Sequence, residues 1–148
     1  MNQITLTFPG KPKALQSFRV AQIGGFARKY QPKEVVQWKN YLMILAREQL
    51  PPDFAVFTGV PLKIEMAFIF LLPKSAPKRM RVAVDAGERV WKITKPDVTD
   101  NLPKGVVDAL AGIVYSNDCI ISDSHPLKYY GLEEKTIVRV TEIEGMAY

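Results

Sequence analysis

The stretch KPDVTDNLPKGVVDAL, residues 95–110, combines three aspartates with an apolar run of helical spacing. Pro103 sets the register of this helix, because a residue without an N–H group is tolerated only in the first turn. The pattern therefore predicts a helix with Asp100 near its N-cap and Pro103 near its third position. The apolar side chains should face the core, and they are Leu102, Val106, Ala109, Leu110 and Ile113.

The charged side chains of the stretch occupy the other side of the same helix. Asp100, Lys104 and Asp108 follow one another at intervals of four residues, and they project within an arc of roughly 80°. They are consistent with an N-capping aspartate followed by an ordinary surface ladder of charges. Asp97 lies one turn upstream, on a lead-in that Pro96 keeps extended, and a ladder does not account for it.

A second polar cluster follows the helix after the short connector IVYS. It contains Asn117, Asp118 and Asp123, and a strand adjacent to the helix would bring Asp118 back beside Asp97 and Asp100. Three converging carboxylates without a balancing histidine or arginine suit a hard divalent cation. The residues therefore leave two interpretations open, a surface charge ladder and a metal site.

The composition limits which metal is compatible with the chain. Its 148 residues carry a formal net charge of +5, which favours a polyanionic partner such as nucleic acid. One cysteine, Cys119, and one histidine, His125, provide neither a disulfide framework nor a cysteine or histidine zinc site. Oxygen ligands remain, and these select Mg²⁺, Mn²⁺ or Ca²⁺.

The sequence carries no sign of membrane insertion. The first residues, MNQITLTFPG, do not have the pattern of a signal peptide. No apolar run approaches the ~20 residues that are needed to span a bilayer. We therefore expect no membrane partner and a cytoplasmic location.

Apolar periodicity predicts a single α+β domain over residues 1–148. Alternation predicts strands at residues 3–8, 61–73, 119–123 and 135–143. Helical spacing predicts a helix from Pro32 to about residue 49, with a buried face formed by Val35, Trp38, Leu42 and Leu45. The expected fold is a mixed β-sheet of about four strands with two main helices packed on it.

The clearest strand is PLKIEMAFIFLLP, residues 61–73. One face of this strand is uniformly apolar and consists of Leu62, Ile64, Met66, Phe68, Phe70 and Leu72. The opposite face changes from Lys63 and Glu65 to apolar side chains, so we expect the C-terminal half of the strand to be covered on both sides. It should therefore be a central strand.

Two segments are rich in cations. Residues 11–31 interleave aromatic side chains (Phe18, Phe26 and Tyr30) with Lys11, Lys13, Arg19, Arg28 and Lys29. Residues 73–95, expected to be a mobile loop, contain Lys74, Lys78, Arg79 and Arg81. Each segment is compatible with a solvated surface. Each is also compatible with an arm that neutralises DNA phosphates, and the aromatic rings of the first could stack on unpaired bases.

The acidic stretch and its surroundings resemble the RusA family of Holliday junction resolvases, which is common in bacteriophages and prophages. The family pattern is a D-x-D-N-x-x-K helix start, then D-A-L-x-G, a hydrophobic connector, D-D and an apolar strand. Here it stands as PDVTDNLPKGVVDALAGIVYSNDCIISD, residues 96–123. The early PGKP and the later YQPKEVVQWK are also similar to that family, so the resemblance spans most of the chain.

The resemblance implies roles for individual residues. It implies metal-binding carboxylates at Asp97, Asp100 and Asp118, and a catalytic lysine at Lys104. Further matches, with roles around the metal ligands or on DNA, are Asn101, Asp108, Asn117, Asp123 and the basic Lys128.

The resemblance also implies a reaction and its partners. It implies an endodeoxyribonuclease that hydrolyses phosphodiester bonds in four-way junctions or other branched DNA, during recombination and repair. The cofactor would be Mg²⁺, with Mn²⁺ as a substitute. The enzyme would act as a homodimer in the cytoplasm of a bacterial host.

Two departures from the family pattern bear on this reading. The first acidic pair is D-x-x-D, Asp97 to Asp100, one residue longer than D-x-D, and the insertion must be accommodated at the helix entry. The usual D-D is Asn117-Asp118, which removes one charge. These departures motivate an alternative, a non-catalytic protein that binds branched DNA. A third reading is a structural domain that binds protein partners and has Asp100 as a helix cap.

Overall fold

The computed structural model describes residues 2–14, 19–30 and 33–148. Within these ranges the strands are β1 Gln3–Pro9, β2 Arg19–Ile23, β3 Phe26–Tyr30, β4 Leu62–Phe70, β5 Val90–Trp91, β6 Ile121–Tyr130 and β7 Lys135–Glu142. The helices are α1 Lys33–Gln49, α2 Lys78–Asp85 and α3 Asn101–Leu110, and a 3-10 turn, Asp118–Ile120, precedes β6. The predicted α+β class is therefore confirmed.

Five of the strands form one mixed sheet in the order β1-β7-β4-β6-β5. β4 is parallel to β6 and antiparallel to β7, and the other neighbours are antiparallel. β2 and β3 form a separate two-stranded hairpin. The prediction that residues 61–73 hold a central strand is confirmed, because β4 has a partner on each side.

Strict alternation gives β4 its place in the core. Leu62, Ile64, Met66, Phe68 and Phe70 are buried on one face, as a strand with a side-chain period of two requires. The strand ends at Phe70, so Leu72 lies beyond it, contrary to the prediction. On the other face Ile69 is buried and Leu71 is 49% exposed. The strand is therefore covered on both faces at Ile69, and this cover has ended at Leu71.

Helices α1 and α3 supply the second layer of the core. They pack against each other, and α1 also contacts β1. The apolar face predicted for α3 is confirmed, since Leu102, Val106, Ala109 and Leu110 are buried. In α1 the buried face is Val35, Trp38, Leu42 and Ala46, whereas Leu45 is half-buried.

Gln49, the last residue of α1, completes the exposed edge of the sheet. Its amide Oε1 accepts from Thr7 N, and its Nε2 donates to Thr7 O, both at 2.8 Å. β1 is an edge strand, so these backbone groups have no strand partner. The side chain therefore takes the place of a neighbouring strand at one position.

The main sheet has one strand more, and the described part of the chain one helix more, than the sequence predicted. The extra strand is the two-residue β5, and the extra helix α2 lies in the segment expected to be a mobile loop. Met80, Ala83 and Val84 lie at helical spacing and face inward, but the helix has only eight residues and Val84 is the one that is buried, so the stripe is too short for periodicity to identify a helix. Within the described ranges, no helix is long and apolar enough to cross a bilayer.

Candidate active site

The chain enters α3 through a turn at residues 98–100. Leu102 N donates to the carbonyl of Asp97 at 3.0 Å, which closes the turn. Val98 is half-buried and packs against the core. The turn accommodates the longer D-x-x-D spacing, and the register of α3 is unaffected.

Asp100 is the N-cap residue of α3, and Pro103 occupies the third helical position. This register is the one that Pro103 predicts from the sequence. The Asp100 side chain, however, makes no capping hydrogen bond. Asp97 and Asp100 are both exposed, so both carboxylates are available to a ligand.

The charge ladder expected for a plain surface helix is not formed. In the described part of the chain, the ion pairs within 4.0 Å are Lys63–Glu65, Asp123–His125, Glu133–Lys135 and Glu65–Arg139. Lys104 therefore pairs with neither Asp100 nor Asp108. Its ammonium group lies exposed on the first turn of α3 without a carboxylate partner.

Lys128, on β6, anchors the loop that leads to Asp97. Its Nζ donates to the carbonyl of Thr94 at 2.6 Å and to that of Pro96 at 2.7 Å. The Lys95-Pro96 peptide between them is cis. Two of the three N–H donors of Lys128 are thus engaged within the chain. Its predicted contact with DNA remains untested.

The connector IVYS is fixed to the end of α3 and to the loop at Phe57. Phe57 N donates to Val114 O at 3.0 Å, and Ser116 N donates to Phe57 O at 2.9 Å. Tyr115 is fully buried, and its hydroxyl donates to the carbonyl of Val107 at 2.7 Å. These bonds fix the chain that carries Asp118 against the C-terminal half of α3.

Tyr115 also reports where two of the predicted acidic residues lie. Burial raises the pKa of its hydroxyl well above the ordinary value of 10.0, and the negative charges of Asp118 and Asp108 add to the effect. Asp108 and Asp118 are therefore both close enough to act on one buried group.

Asn117, the departure from the D-D pattern, has a structural role. Its side-chain Oδ1 accepts from Cys119 N at 3.0 Å and caps the 3-10 turn. The amide oxygen of Asn117 is thus engaged by the backbone. Asp118, the first residue of the turn, is exposed.

The predicted ligands Asp97, Asp100 and Asp118 offer only carboxylate oxygens, which suits Mg²⁺ or Mn²⁺ chemically. Among the residues that the structure describes, no three histidine, cysteine, aspartate or glutamate side chains are grouped closely enough to hold a metal ion. Asp97, Asp100 and Asp118 therefore do not form a ready-made cluster in the described part of the chain. Their assignment as metal ligands stays a prediction.

Asp123 lies on the other face of the sheet. It pairs in register with Lys63, and a register shift occurs between Leu62 and Lys63. Since Leu62 faces the core, Lys63 and Asp123 face away from the helices. The Asp123 carboxylate lies 2.6 Å from His125 Nε2. Asp123 thus faces away from α3, and its role around the metal ligands stays a prediction.

The predicted DNA-binding cations are distributed over three places. Lys74, Lys78, Arg79 and Arg81 are exposed on or before α2, and Arg81 Nη2 donates to Pro73 O at 2.7 Å. Lys11 and Lys13 are exposed after β1. The side chains of Arg19, Arg28 and Lys29, with Phe26 and Tyr30, lie outside the described part of the structure, as does the whole of Phe18.

Sequence reasoning did not single out Lys92 and Lys95. Both lie in the loop between β5 and α3, and both line a cavity beside Pro96. Lys95 belongs to the acidic stretch itself, so its nearness to Asp97 was visible in the sequence.

Two comparisons place the chain among known proteins. The family model described as endodeoxyribonuclease RusA matches residues 9–141. A protein of Bacillus subtilis (strain 168) described as uncharacterized protein YqaN is 28% identical over 146 residues, which cover 98% of this chain and 100% of that protein. Both matches extend over nearly the whole chain, including α3 and the loop before it.

Proposed function

Because the chain belongs to the RusA endodeoxyribonuclease family, we propose that it is a Mg²⁺-dependent endonuclease that resolves Holliday junctions and other branched DNA. The observation that carries the proposal is the start of α3. There Asp97 and Asp100 are exposed, the Asp100 side chain is not used as a cap, and Lys104 stands one turn further on without an ion-pair partner. A helix that needed these groups for its own stability would engage them.

In this proposal Asp97, Asp100 and Asp118 hold the metal. A bound Mg²⁺, or Mn²⁺ in its place, would supply the chemistry of a Lewis acid, which polarises a phosphodiester and activates water. Lys104 would donate to a phosphate oxygen and offset the negative charge that develops there during hydrolysis. The expected products are a 5′-phosphate and a 3′-hydroxyl.

The proposal extends to how the substrate is held. Exposed cations at the end of β1 and on α2 would contact phosphates away from the cut, which is the sequence-independent part of DNA binding. Coordinated cutting of a four-way junction requires two active sites, so we propose a homodimer. The activity would serve recombination and repair in the cytoplasm of a bacterial host or its prophage.

A second candidate is a non-catalytic protein that binds branched DNA. It is favoured by the engagement of the Asn117 amide oxygen with Cys119 N and by the lack of a preformed three-carboxylate group among the described residues. This candidate predicts salt-sensitive junction binding without cleavage in either Mg²⁺ or Mn²⁺.

The deciding experiment is cleavage of a synthetic four-way junction. The wild type should cut in Mg²⁺ and not in EDTA, and Asp100→Asn should lose at least about 10²-fold in rate, because it removes a charged ligand. Asp53→Asn is the matched control, since Asp53 is an exposed aspartate outside the acidic stretch. Equal cutting by wild type and Asp100→Asn, or full activity in EDTA, contradicts the proposal. Binding without cutting supports the second candidate.

A further inference from the structure

A cavity of about 290 Å³ lies beside the candidate active site. It is located where the parallel strands β4 and β6 end, and Phe70 and Tyr130, their last residues, form part of its wall. Three lysines from two distant parts of the chain complete it, and they are Lys11, Lys92 and Lys95.

The cavity concentrates positive charge without neutralising it. Glu134 is the one carboxylate among the described residues that line it. None of the ion pairs in the described part of the chain includes Glu134 or any of the three lysines. Ammonium groups gathered in one concave site repel each other. An anionic ligand would relieve that repulsion.

Lys92 is held in place before any ligand arrives. Its Nζ donates to Thr94 Oγ1 at 2.8 Å and lies 5.0 Å from the ring centre of Phe70 and 5.3 Å from that of Tyr130. The aromatic rings attract the cation through their negative faces. A lysine fixed in this way loses less side-chain entropy on binding than a free surface lysine.

The position of the cavity indicates which anion it takes. Pro96 lines it, and the next residue along the chain is Asp97. Lys128 Nζ donates to the carbonyl oxygen of Pro96 at 2.7 Å and anchors the loop. This one loop carries both Pro96 in the cavity wall and Asp97. A group bound here is a near neighbour of whatever the acidic stretch binds.

We propose that this cavity, formed by Lys11, Lys92 and Lys95, binds a backbone phosphate of DNA adjacent to the phosphate that is cut. The inference rests on the proposed function, since it takes DNA as the substrate. It adds Lys92 and Lys95 to the DNA-binding residues and gives Lys11 a specific partner. The chemistry recognised is a phosphate monoanion next to apolar ring faces.

The test measures junction binding in EDTA, so that no cleavage occurs, at several salt concentrations. Each phosphate contact contributes about 0.9 to the slope of log affinity against log salt concentration. The double variant Lys92→Met, Lys95→Met keeps side-chain length and removes two of the three cations that hold this one phosphate, so its slope should be shallower by about one. The double variant Lys92→Arg, Lys95→Arg keeps the charges and should retain the wild-type slope.

Lys63→Met is the matched control for this measurement. Lys63 lies on the opposite face of the sheet and is 3.7 Å from Glu65. Its loss should leave the slope unchanged. A slope for Lys92→Met, Lys95→Met equal to that of the wild type, in a variant whose circular dichroism is unaltered, would overturn the inference.

Two further outcomes separate DNA from other sources and from the proposed function. Inorganic phosphate and chloride are compared as competitors for the junction at equal ionic strength. If phosphate displaces the junction from the wild type more than chloride does, and the salt slope of Lys92→Met, Lys95→Met equals that of the wild type, the cavity is a site for free phosphate. The inference then fails. A wild type that binds the junction and never cuts it contradicts the nuclease function, while the difference in slopes still supports the cavity. A wild type that does not bind DNA contradicts both.

Discussion

The ammonium group of Lys128 lies 2.7 Å from the carbonyl oxygen of Pro96 and so ties strand β6 to the loop that presents Asp97. A second bond, to the carbonyl of Thr94, makes the attachment two-point. The same loop is tied to α3 by the bond from Leu102 N to Asp97 O. Asp97 is therefore held between the sheet and the helix although its side chain is exposed.

Replacement of Lys128 by methionine should loosen this loop. Hydrogen bonds from a charged donor contribute about 1.5–3 kcal/mol each when buried, and the half-buried position of Lys128 reduces that. We expect the free energy of unfolding to fall by about 1–3 kcal/mol. The Mg²⁺ concentration for half-maximal junction cleavage should rise, because the loop that presents Asp97 is less ordered.

The salt dependence of DNA binding in EDTA distinguishes this positioning role from a contact with DNA. Lys128→Met should keep the wild-type slope if the ammonium group holds the loop, and should make it shallower by about one if it holds a phosphate. Lys128→Arg keeps charged donors and should recover part of the Mg²⁺ response. A shallower slope with an unchanged Mg²⁺ response contradicts the positioning role.

Tyr115 should give the protein a distinct response to alkaline pH. Its pKa is raised in the folded state, so its stabilising effect is complete below the unfolded-state value of about 10 and is lost as pH rises from there toward the folded-state pKa. Tyr115→Phe lacks this effect and also the bond to Val107 O. At pH 8 the variant should be less stable by about 1 kcal/mol. Above pH ~10 the wild type should lose about 1.4 kcal/mol per pH unit relative to the variant, so at pH 11 the variant should be the more stable protein.

Denaturant unfolding of both proteins at pH 8 and pH 11 measures this difference, and the tyrosines they share cancel. The charge of Asp118 is one cause of the raised pKa. Asp118→Asn should therefore lower the pKa of Tyr115, which is visible by ultraviolet absorbance titration. An unchanged titration in this variant would contradict the closeness of Asp118 to the end of α3.

Gln49 should matter for the edge of the sheet more than its exposure suggests. Gln49→Ala removes both 2.8 Å bonds to Thr7 and should lower the free energy of unfolding by about 1–3 kcal/mol. Gln49→Glu keeps an acceptor for Thr7 N but places a carboxylate oxygen against Thr7 O, so it should lose stability as well. Thermal unfolding at neutral pH measures the stability of both variants. If Gln49→Ala is as stable as the wild type, water fully replaces the amide hydrogen bonds to Thr7.

Strong local patterns predicted the parts of the fold that depend on them. The alternation in residues 61–73 identified β4, and Pro103 identified the start of α3. β6 was predicted only over residues 119–123, whereas it spans Ile121–Tyr130. Its first half carries polar residues on both faces, Ser122, Asp123, Ser124 and His125, so no period of two is visible there.

The candidate site was predictable in its residue types and less so in its geometry. The acidic stretch named the carboxylates, but the turn that accommodates the longer D-x-x-D spacing depends on one backbone bond, from Leu102 to Asp97. A single register shift beside Lys63 decides the face that Asp123 occupies, because a strand alternates its faces residue by residue. The meeting of Lys11 with Lys92 and Lys95 depends on the tertiary fold, which local sequence patterns do not encode.

The parallel pairing of β4 with β6 has a consequence for how this chain can change. Parallel neighbours require the chain to travel back along the sheet before the second strand begins. Asp97, Asp100, Lys104 and Asp118 all lie on that return path, between Phe70 and Ile121. The path can gain or lose a residue, as at Val98-Thr99, while both strands keep their pairing. The sheet thus acts as a fixed frame, and the segment that carries the predicted site residues is a span whose length can be adjusted between two fixed ends.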